Sequence, residues 1–297
     1  MRSSAEGDQA EGLRRLLLRN QTQVITVVSG KSGVGRTSAT INFAAALVRS
    51  GKDVLVLDEN PVPHNLLDRL GLSARYDLLD VIQGKCSPGE AVLSSKGVSV
   101  LPTARAMLAL ATLNQAEQQR LENALNVISS GVDVMLVDAA MLVGQAAVSS
   151  SLASGASLLV VVDGTAAGIT ESYALIKRLA LENARLRFEI VVNRVDNEQA
   201  AITVFNNMAK VAQRHLAARL EYLGHIPFDD RLKRSTQLGR SVVEAFPASD
   251  SAKSYLELSQ KLLRLPVQQE EAEGGISRMM KSLILQLRSG EMAHVVN

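Results

Sequence analysis

A short stretch near the amino terminus, VITVVSGKSGVGRTS over residues 24–38, contains residues that could hold a phosphate group. Gly30 and Gly35 are followed by Arg36 and Thr37. Glycine-rich turns let backbone N–H groups converge on an anion, and a following helix adds the positive partial charge of its N-terminus. The spacing matches the phosphate-binding pattern G-x-x-x-x-G-K-[ST] at each fixed place except Arg36, where lysine is usual. We therefore expect this turn to bind the phosphates of a nucleotide.

The turn lies in the context that phosphate binding requires. A β-branched apolar run over residues 24–28 predicts a buried parallel strand, and Thr37 is expected to open an apolar-periodic helix. A glycine-rich turn with two solvated cations is the alternative, but the flanking strand and helix favour a phosphate cradle. The predicted nucleotide-binding residues of the turn are Gly30, Lys31, Ser32, Gly33, Val34, Gly35, Arg36, Thr37 and Ser38.

Lys31 directly follows the first glycine and gives the turn the form GKSGVGRT. With this lysine and its flanking sequence, the segment resembles the deviant P-loop of the MinD/ParA family of dimerising ATPases. The resemblance implies ATP or ADP as ligand, Mg²⁺ as cofactor, and a homodimer in which Lys31 reaches the nucleotide of the partner as a catalytic residue. It also implies one doubly wound α/β domain with a mostly parallel sheet, helices on both faces, and the ligand at the carboxyl ends of the strands.

Three later apolar runs end in polar residues. The run DVLVLD ends in Asp58, VDVMLVD in Asp138, and FEIVVN in Asn193. The resemblance implies that Asp58 and Asp138 hold Mg²⁺ together with Thr37, and that Asn193 recognises the base. A plain strand-end carboxylate for Asp138 and a strand-end turn residue for Asn193 are the alternatives.

Other periodic patterns predict the elements that connect these strand ends. Residues 115–129 and 198–220 are expected to form helices, and residues 157–163 and 222–227 to form strands. A short helix is predicted over residues 78–82, and closing helices are predicted in the stretch that follows Arg231 up to residue 245 and over residues 249–263.

Three positions depart from the resembled pattern, and all three bear on hydrolysis. Arg36 replaces lysine, Asn60 replaces the aspartate that positions the attacking water, and Ala139 replaces a residue with a hydroxyl group. Arginine offers a planar fork of donors where lysine offers a compact point charge, and asparagine lacks the negative charge of aspartate. We expect Asn60 to be a degenerate catalytic position and ATP hydrolysis to be slow or absent.

A segment upstream of the glycine turn reads DQAEGLR. It resembles the DQAxxLR element that opens the FlhG (FleN) branch of the MinD family, which regulates flagellar number. In that branch the element docks on an FlhF-type signal-recognition GTPase and stimulates it. An amphipathic helix packed on its own domain is the alternative. The matching residues are Asp8, Gln9, Ala10, Leu13 and Arg14.

The tail contains a second amphipathic segment, in which basic residues lie off an apolar stripe. This pattern is typical of a helix that lies on a membrane surface, and the resembled family ends in such a helix. A helix packed on the domain or on a partner is the alternative. The stripe consists of Ile276, Met279, Met280, Leu283, Ile284 and Leu287. The predicted divisions are residues 1–22 (tail and docking helix), 23–265 (nucleotide-binding domain), 266–275 (linker) and 276–290 (membrane-targeting helix).

Composition narrows the classes of function. A net charge of +2 over 297 residues gives no support to specific nucleic-acid binding, so a ParA-like DNA-partition ATPase is the weaker alternative. The single Cys86 cannot form an internal disulfide, and no apolar run is long enough to span a membrane. We expect a cytoplasmic protein that associates reversibly with the inner face of the cytoplasmic membrane.

Two hypotheses from the resemblance share one cellular task. The first is an ATP-driven switch that controls flagellar number and placement, with flagellar basal-body or regulatory proteins as partners. The second is a non-catalytic scaffold of the same flagellar system. They differ in whether the nucleotide is hydrolysed.

Overall fold

One eight-stranded sheet forms the centre of the described chain, in a computed structural model that describes residues 22–63, 65–140, 157–182, 187–216 and 218–265. The strands are β1 (Gln23–Val28), β2 (Val54–Asp58), β3 (Leu93–Ser95), β4 (Val98–Pro102), β5 (Val134–Asp138), β6 (Ser157–Asp163), β7 (Arg187–Val195) and β8 (Arg219–Pro227). The helices are α1 (Arg36–Arg49), α2 (Leu66–Arg69), α3 (Leu78–Ile82), α4 (Pro88–Ala91), α5 (Ala104–Ala109), α6 (Gln115–Ser129), α7 (Ala166–Glu182), α8 (Glu198–His215), α9 (Asp230–Gln237), α10 (Val242–Ala245) and α11 (Asp250–Leu263).

The strand order is β3-β4-β2-β5-β1-β6-β7-β8, and all neighbours are parallel except the antiparallel pair β3 and β4. Strand β1 therefore lies between β5 and β6, and the chain builds the sheet outward on both sides of it. A crevice forms at the carboxyl edge where the strand order changes direction. The register pairs Asp138 with both Val27 and Asp58, so the ends of β1, β5 and β2 lie side by side. The predicted α/β architecture is confirmed.

Both faces of the sheet are covered by helices, which explains the continuous apolar runs of the central strands. Successive residues of a strand point to opposite faces. Leu136 of β5 packs in the same apolar cluster as residues of α1 and α11, whereas its neighbours Met135 and Val137 pack with residues of α3 and α6. On the first face, the rings of Phe43 and Tyr255 meet edge to face, with centroids 5.1 Å apart. These contacts fix α1, and with it the glycine turn.

The helix predicted over residues 198–220 is wrong at its carboxyl end. Helix α8 ends at His215, and Leu220 lies in β8, where it pairs with Phe188 of β7. Strand β8 consequently begins at Arg219, earlier than the predicted residue 222. The backbone groups of β7 gain partners from this longer pairing, and the tertiary contact overrides the local helical pattern.

Most other predicted elements are confirmed within a few residues. The helices at residues 78–82 and 115–129 and the strand at 157–163 have the predicted bounds, while α1 begins at Arg36 and not at Thr37. The predicted docking residues at positions 8–14 and the apolar stripe at positions 276–287 lie outside the described residues. Within the described residues, the helices are too short or too polar to cross a membrane.

Candidate functional site

The turn between β1 and α1 has a backbone that requires glycine at two positions. Gly35 precedes α1 with φ of 99°, a left-handed conformation that side chains disfavour. A Cβ atom on Gly30 would lie 2.2 Å from the backbone carbonyl carbon of Glu171 in α7, so only glycine allows this approach. The N–H of Ala39 donates to the carbonyl of Gly35 at 2.8 Å, which starts the hydrogen bonding of α1. In the part of the chain that the structure describes, the earlier N–H groups of this helix terminus have no backbone partner and can meet an anion.

A cavity of about 980 Å³ lies at this turn. This volume is at the upper end of the range of small-molecule sites, about 300–1,000 Å³. Four predicted residues are not in its lining: Gly30 packs against α7, Val34 belongs to the apolar core, and Asp58 and Asp138 are fully buried. The predicted residues that do line it are Lys31, Ser32, Gly33, Gly35, Arg36, Thr37, Ser38, Asn60 and Asn193.

Arg36 and Asn60, two of the three positions that depart from the resembled pattern, contact each other. The Nη2 group of Arg36 donates to Oδ1 of Asn60, and its Nε group forms an ion pair with Oδ1 of Asp138 at 3.0 Å. The Nδ2 group of Asn60 donates to Oδ1 of Asp58 at 3.0 Å and to Oδ2 of Asp138 at 2.9 Å. The four side chains thus form one hydrogen-bonded network.

Asp58 and Asp138, which the resemblance assigns to Mg²⁺, are fully buried, and each of their carboxylate oxygens accepts a hydrogen bond. The contacts of Asn60 and Arg36 account for three of these oxygens, and the N–H of Leu66 donates to Oδ2 of Asp58 at 2.7 Å. In this arrangement the two acids do not fit a divalent cation, because a guanidinium and an amide occupy the faces that would meet it.

The pKa of Asp58 reflects this crowded position. Burial raises the pKa of Asp58 to about 6, and the charge of Asp138 acts in the same direction, whereas hydrogen bonds from Asn60 partly offset both. Neighbouring carboxylates in a low-dielectric site disfavour a second negative charge. Within the described residues, Asp58 has no basic side chain paired with it that would offset these two effects.

Asn193 of β7 contacts the backbone of the turn between β1 and α1. Its Nδ2 group donates to the carbonyl of Val34 at 2.7 Å, and its Oδ1 atom is buried without a hydrogen-bond partner in the described part of the chain. The next residue, Arg194, adopts a left-handed backbone with φ of 59° and donates to the carbonyl of Gly33 at 2.8 Å. The end of β7 is thus tied to the turn by two side chains.

Thr40, Glu59 and Arg194 are among the residues of this site that sequence reasoning did not identify. The hydroxyl of Thr40 donates to Oδ1 of Asp138 at 3.2 Å, and the buried Glu59 lines the cavity and accepts the N–H of Ala140 at 3.2 Å. Their position next to motif residues was the available signal: Thr40 lies one helical turn after Arg36, Glu59 follows Asp58, and Arg194 follows Asn193.

Comparison with known proteins identifies the family. Residues 25–242 match the model of the CobQ/CobB/MinD/ParA nucleotide-binding domain. The chain belongs to this family. The antiactivator FleN of Pseudomonas aeruginosa is 35% identical over 246 residues, which cover 82% of this chain and 88% of that protein. The septum site-determining protein MinD of Helicobacter pylori is 24% identical over 270 residues, covering 88% of this chain and 98% of that protein.

Solved structures of the MinD/ParA family share the fold. The MinD cell division protein of Aquifex aeolicus superposes with a TM-score of 0.62 at 24% identity, covering 84% of this chain and all (100%) of that chain. MinD from Pyrococcus horikoshii, solved in complex with Mg-ADP, gives a TM-score of 0.61 at 20% identity, covering 82% of this chain and 97% of that chain. The MinD-like P-loop fold of this family member is therefore established.

Proposed function

We propose that this chain is a MinD-like protein that binds adenine nucleotides and regulates flagellar number and placement, with impaired ATP hydrolysis. The observation that carries the proposal is a single cavity that joins a phosphate-binding turn to the side chain of Asn193. The flagellar task rests on the likeness to FleN and on the DQAEGLR segment. Flagellar basal-body or regulatory proteins are the proposed partners of this task.

Base selection is assigned to Asn193. Its Oδ1 atom is a buried acceptor without a partner in the described residues, so a ligand that donates at this point removes an energetic penalty of about 1–3 kcal/mol. The 6-amino group of adenine is a donor, whereas the 6-oxo group of guanine is an acceptor. The site therefore favours ATP and ADP over GTP and GDP.

Slow hydrolysis follows from the network around Arg36. The Nε and Nη2 groups of Arg36 are held by Asp138 and Asn60, and Asn60 has no carboxylate to position a water molecule. Loss of one transition-state contact lowers a rate by about 10²–10³-fold in comparable cases, and such losses are not additive. Nucleotide binding requires fewer of these contacts than turnover does.

The remaining parts of the proposal concern assembly. Lys31 lines the cavity and would meet the nucleotide of a second copy in an ATP-dependent homodimer. Residues 8–14 would dock on an FlhF-type GTPase and activate it, and residues 276–287 would bring a cytoplasmic dimer reversibly to the inner membrane surface. The non-catalytic scaffold is the second candidate, and the engaged state of Arg36 favours it over a rapid ATPase.

Equilibrium binding of ATP and GTP to the full chain tests the proposal. We expect ATP to bind about tenfold or more tightly than GTP, since 1.4 kcal/mol corresponds to a factor of ten. Asn193→Leu, which removes the acceptor, should abolish this preference. Asn207→Leu, at an exposed position of α8, is the matched control.

The outcomes separate the candidate functions. ATP binding with dimer formation but little phosphate release supports an impaired switch. Stimulation of an FlhF-type GTPase that persists without ATP supports the scaffold. Failure to bind either nucleotide would refute the nucleotide-binding proposal.

A further inference from the structure

The cation beside the buried acids is part of the protein chain itself. Arg36 is the basic residue that pairs with Asp138, and within the described residues no basic side chain pairs with Asp58. A buried carboxylate that loses its counter-charge is strongly destabilising. A nucleotide bound in the adjacent cavity would bring further negative charge to the same place, and a bound divalent cation is the usual means of neutralising it.

The geometry of Arg36 allows it to serve both the acids and a nucleotide. Arg36 is the first residue of α1, its side chain is about 10% exposed, and it lines the cavity. Its Nε and Nη2 groups use two of the five N–H donors of a guanidinium, so three donors have no partner among the described residues. A planar fork can hold a carboxylate on one edge and a phosphate on the other, which the single nitrogen of lysine cannot do in the same way.

Asn60 completes this arrangement because it is neutral. Its Oδ1 atom accepts from Arg36, while its Nδ2 group donates to both acids and to the backbone carbonyl of Asp138 at 3.0 Å. An aspartate here could not make these donations and would add a third negative charge beside one guanidinium. Arg36 supplies the positive charge beside the two acids and donates to Asn60. Because Asn60 is neutral, it adds no further negative charge for Arg36 to balance.

We infer that the guanidinium of Arg36, positioned by Asn60, takes the place of a divalent cation beside Asp138, so that the site binds its nucleotide without Mg²⁺. The inference rests on the proposed nucleotide-binding function. It assigns two of the three departures from the resembled pattern, Arg36 and Asn60, to one metal-independent mode of phosphate binding, in place of two separate losses of catalytic function.

Binding of ADP and ATP to the full chain is measured by calorimetry in Mg²⁺ and in EDTA. For the unaltered chain we expect the two dissociation constants to agree within about threefold, which is less than 1 kcal/mol. In the double variant Arg36→Lys/Asn60→Asp, removal of Mg²⁺ should weaken binding by about tenfold or more. The matched control is Arg49→Lys/Asn207→Asp, which makes the same chemical changes away from the cavity and should behave like the unaltered chain.

A second measurement uses only the unaltered protein, so it does not depend on folding of the double variant. Protein is added to a mixture of Mn²⁺ and ADP, and free Mn²⁺ is followed by electron paramagnetic resonance. If metal and protein bind the nucleotide independently, linkage requires that free Mn²⁺ does not fall. A fall in free Mn²⁺, or a tenfold loss of affinity in EDTA, would overturn the inference while leaving nucleotide binding intact. Absence of binding in both buffers would overturn the proposed function itself, and this inference with it.

Discussion

At the scale of single residues, the site combines a preserved phosphate turn with altered side chains that contact one another. The glycines keep the backbone of the turn in the form that phosphate binding requires, because Gly35 is left-handed and Gly30 contacts the backbone of α7. Arg36 and Asn60 determine the hydrogen bonds made with Asp58 and Asp138 next to that turn. The alterations therefore affect the charged network more than the cradle.

Replacing Gly30 with alanine tests the close approach of the turn to α7. The added methyl group would lie 2.2 Å from the backbone carbon of Glu171, which cannot move without displacing the helix. We expect a loss of about 1–3 kcal/mol in the free energy of unfolding, the usual range for an overpacked site, together with weaker nucleotide binding. Urea unfolding measures the stability change.

Gly89→Ala is the control for this substitution. An added methyl group at Gly89 has no atom within 4 Å. Its free energy of unfolding should be unchanged or slightly higher, because alanine reduces the freedom of the unfolded chain. Equal stability of the two variants would mean that α7 does not constrain the turn.

At the scale of elements, helices α9 and α11 are joined at one carboxylate next to the cavity. Asp229 caps α9 by accepting the N–H of Arg231 at 2.8 Å, and it accepts the hydroxyl of Ser251 in α11 at 2.6 Å. Side-chain caps satisfy the free N–H groups at a helix start. Asp229 also lines the cavity, so this junction shapes one wall of it.

The charge of Asp229 makes this junction sensitive to acid. Burial alone would raise the pKa of Asp229, but hydrogen bonds from Ser251 and Arg231 outweigh it and lower the pKa. A lowered pKa stabilises the folded protein above the unfolded value of about 3.9, and this contribution is lost as the pH falls through the folded pKa. Asp229→Asn should therefore be less stable than the unaltered chain at pH 7, and the difference should shrink in acid.

Urea unfolding at several pH values from about 7 to about 3 checks this expectation. Asp230→Asn, at an exposed neighbouring position on the same helix, is the control. Its difference from the unaltered chain in the free energy of unfolding should not shrink as the pH falls. A constant difference between Asp229→Asn and the unaltered chain across the range would contradict the role of the charge.

At the scale of the whole molecule, the parallel sheet gathers distant parts of the chain at one edge. The turn after β1, the acids that end β2 and β5, and Asn193 near the end of β7 all meet there. In the proposed homodimer, a nucleotide bound at this edge would also meet Lys31 of a second copy. Two tails on one dimer would then bind a membrane far better than one.

A substitution in the tail tests the membrane step in the full chain. Leu283→Asp removes an apolar side chain from the stripe, and burial of a leucine side chain contributes about 1.5–3 kcal/mol, so vesicle binding should weaken by about tenfold or more. Ser282→Asp adds the same charge off the stripe and should have a much smaller effect. Co-sedimentation with anionic vesicles, with and without ATP, provides the measurement, and equal effects of the two variants would argue against a membrane-facing stripe.

The sequence alone determined the local features of this protein. The apolar run of β1, the glycine turn and the start of α1 are contiguous, so spacing and turn chemistry sufficed to predict them. The strand ends at Asp58 and Asp138 were predicted in the same way, since each closes a short apolar run. The predicted end at Asn193 is wrong by two residues, because pairing with β8 extends β7 to Val195. The family resemblance then supplied the parallel order that brings such ends together.

Only the tertiary structure decided which side chains meet. Arg36 and Asp138 are 102 residues apart, and their contact depends on the sheet register that places β5 between β1 and β2. The position of Leu220 in a strand depends in the same way on pairing with β7. Local patterns encode helix and strand periods but not which strands become neighbours. The contact between Arg36 and Asn60, two positions that depart from the resembled pattern, therefore became visible only in the fold.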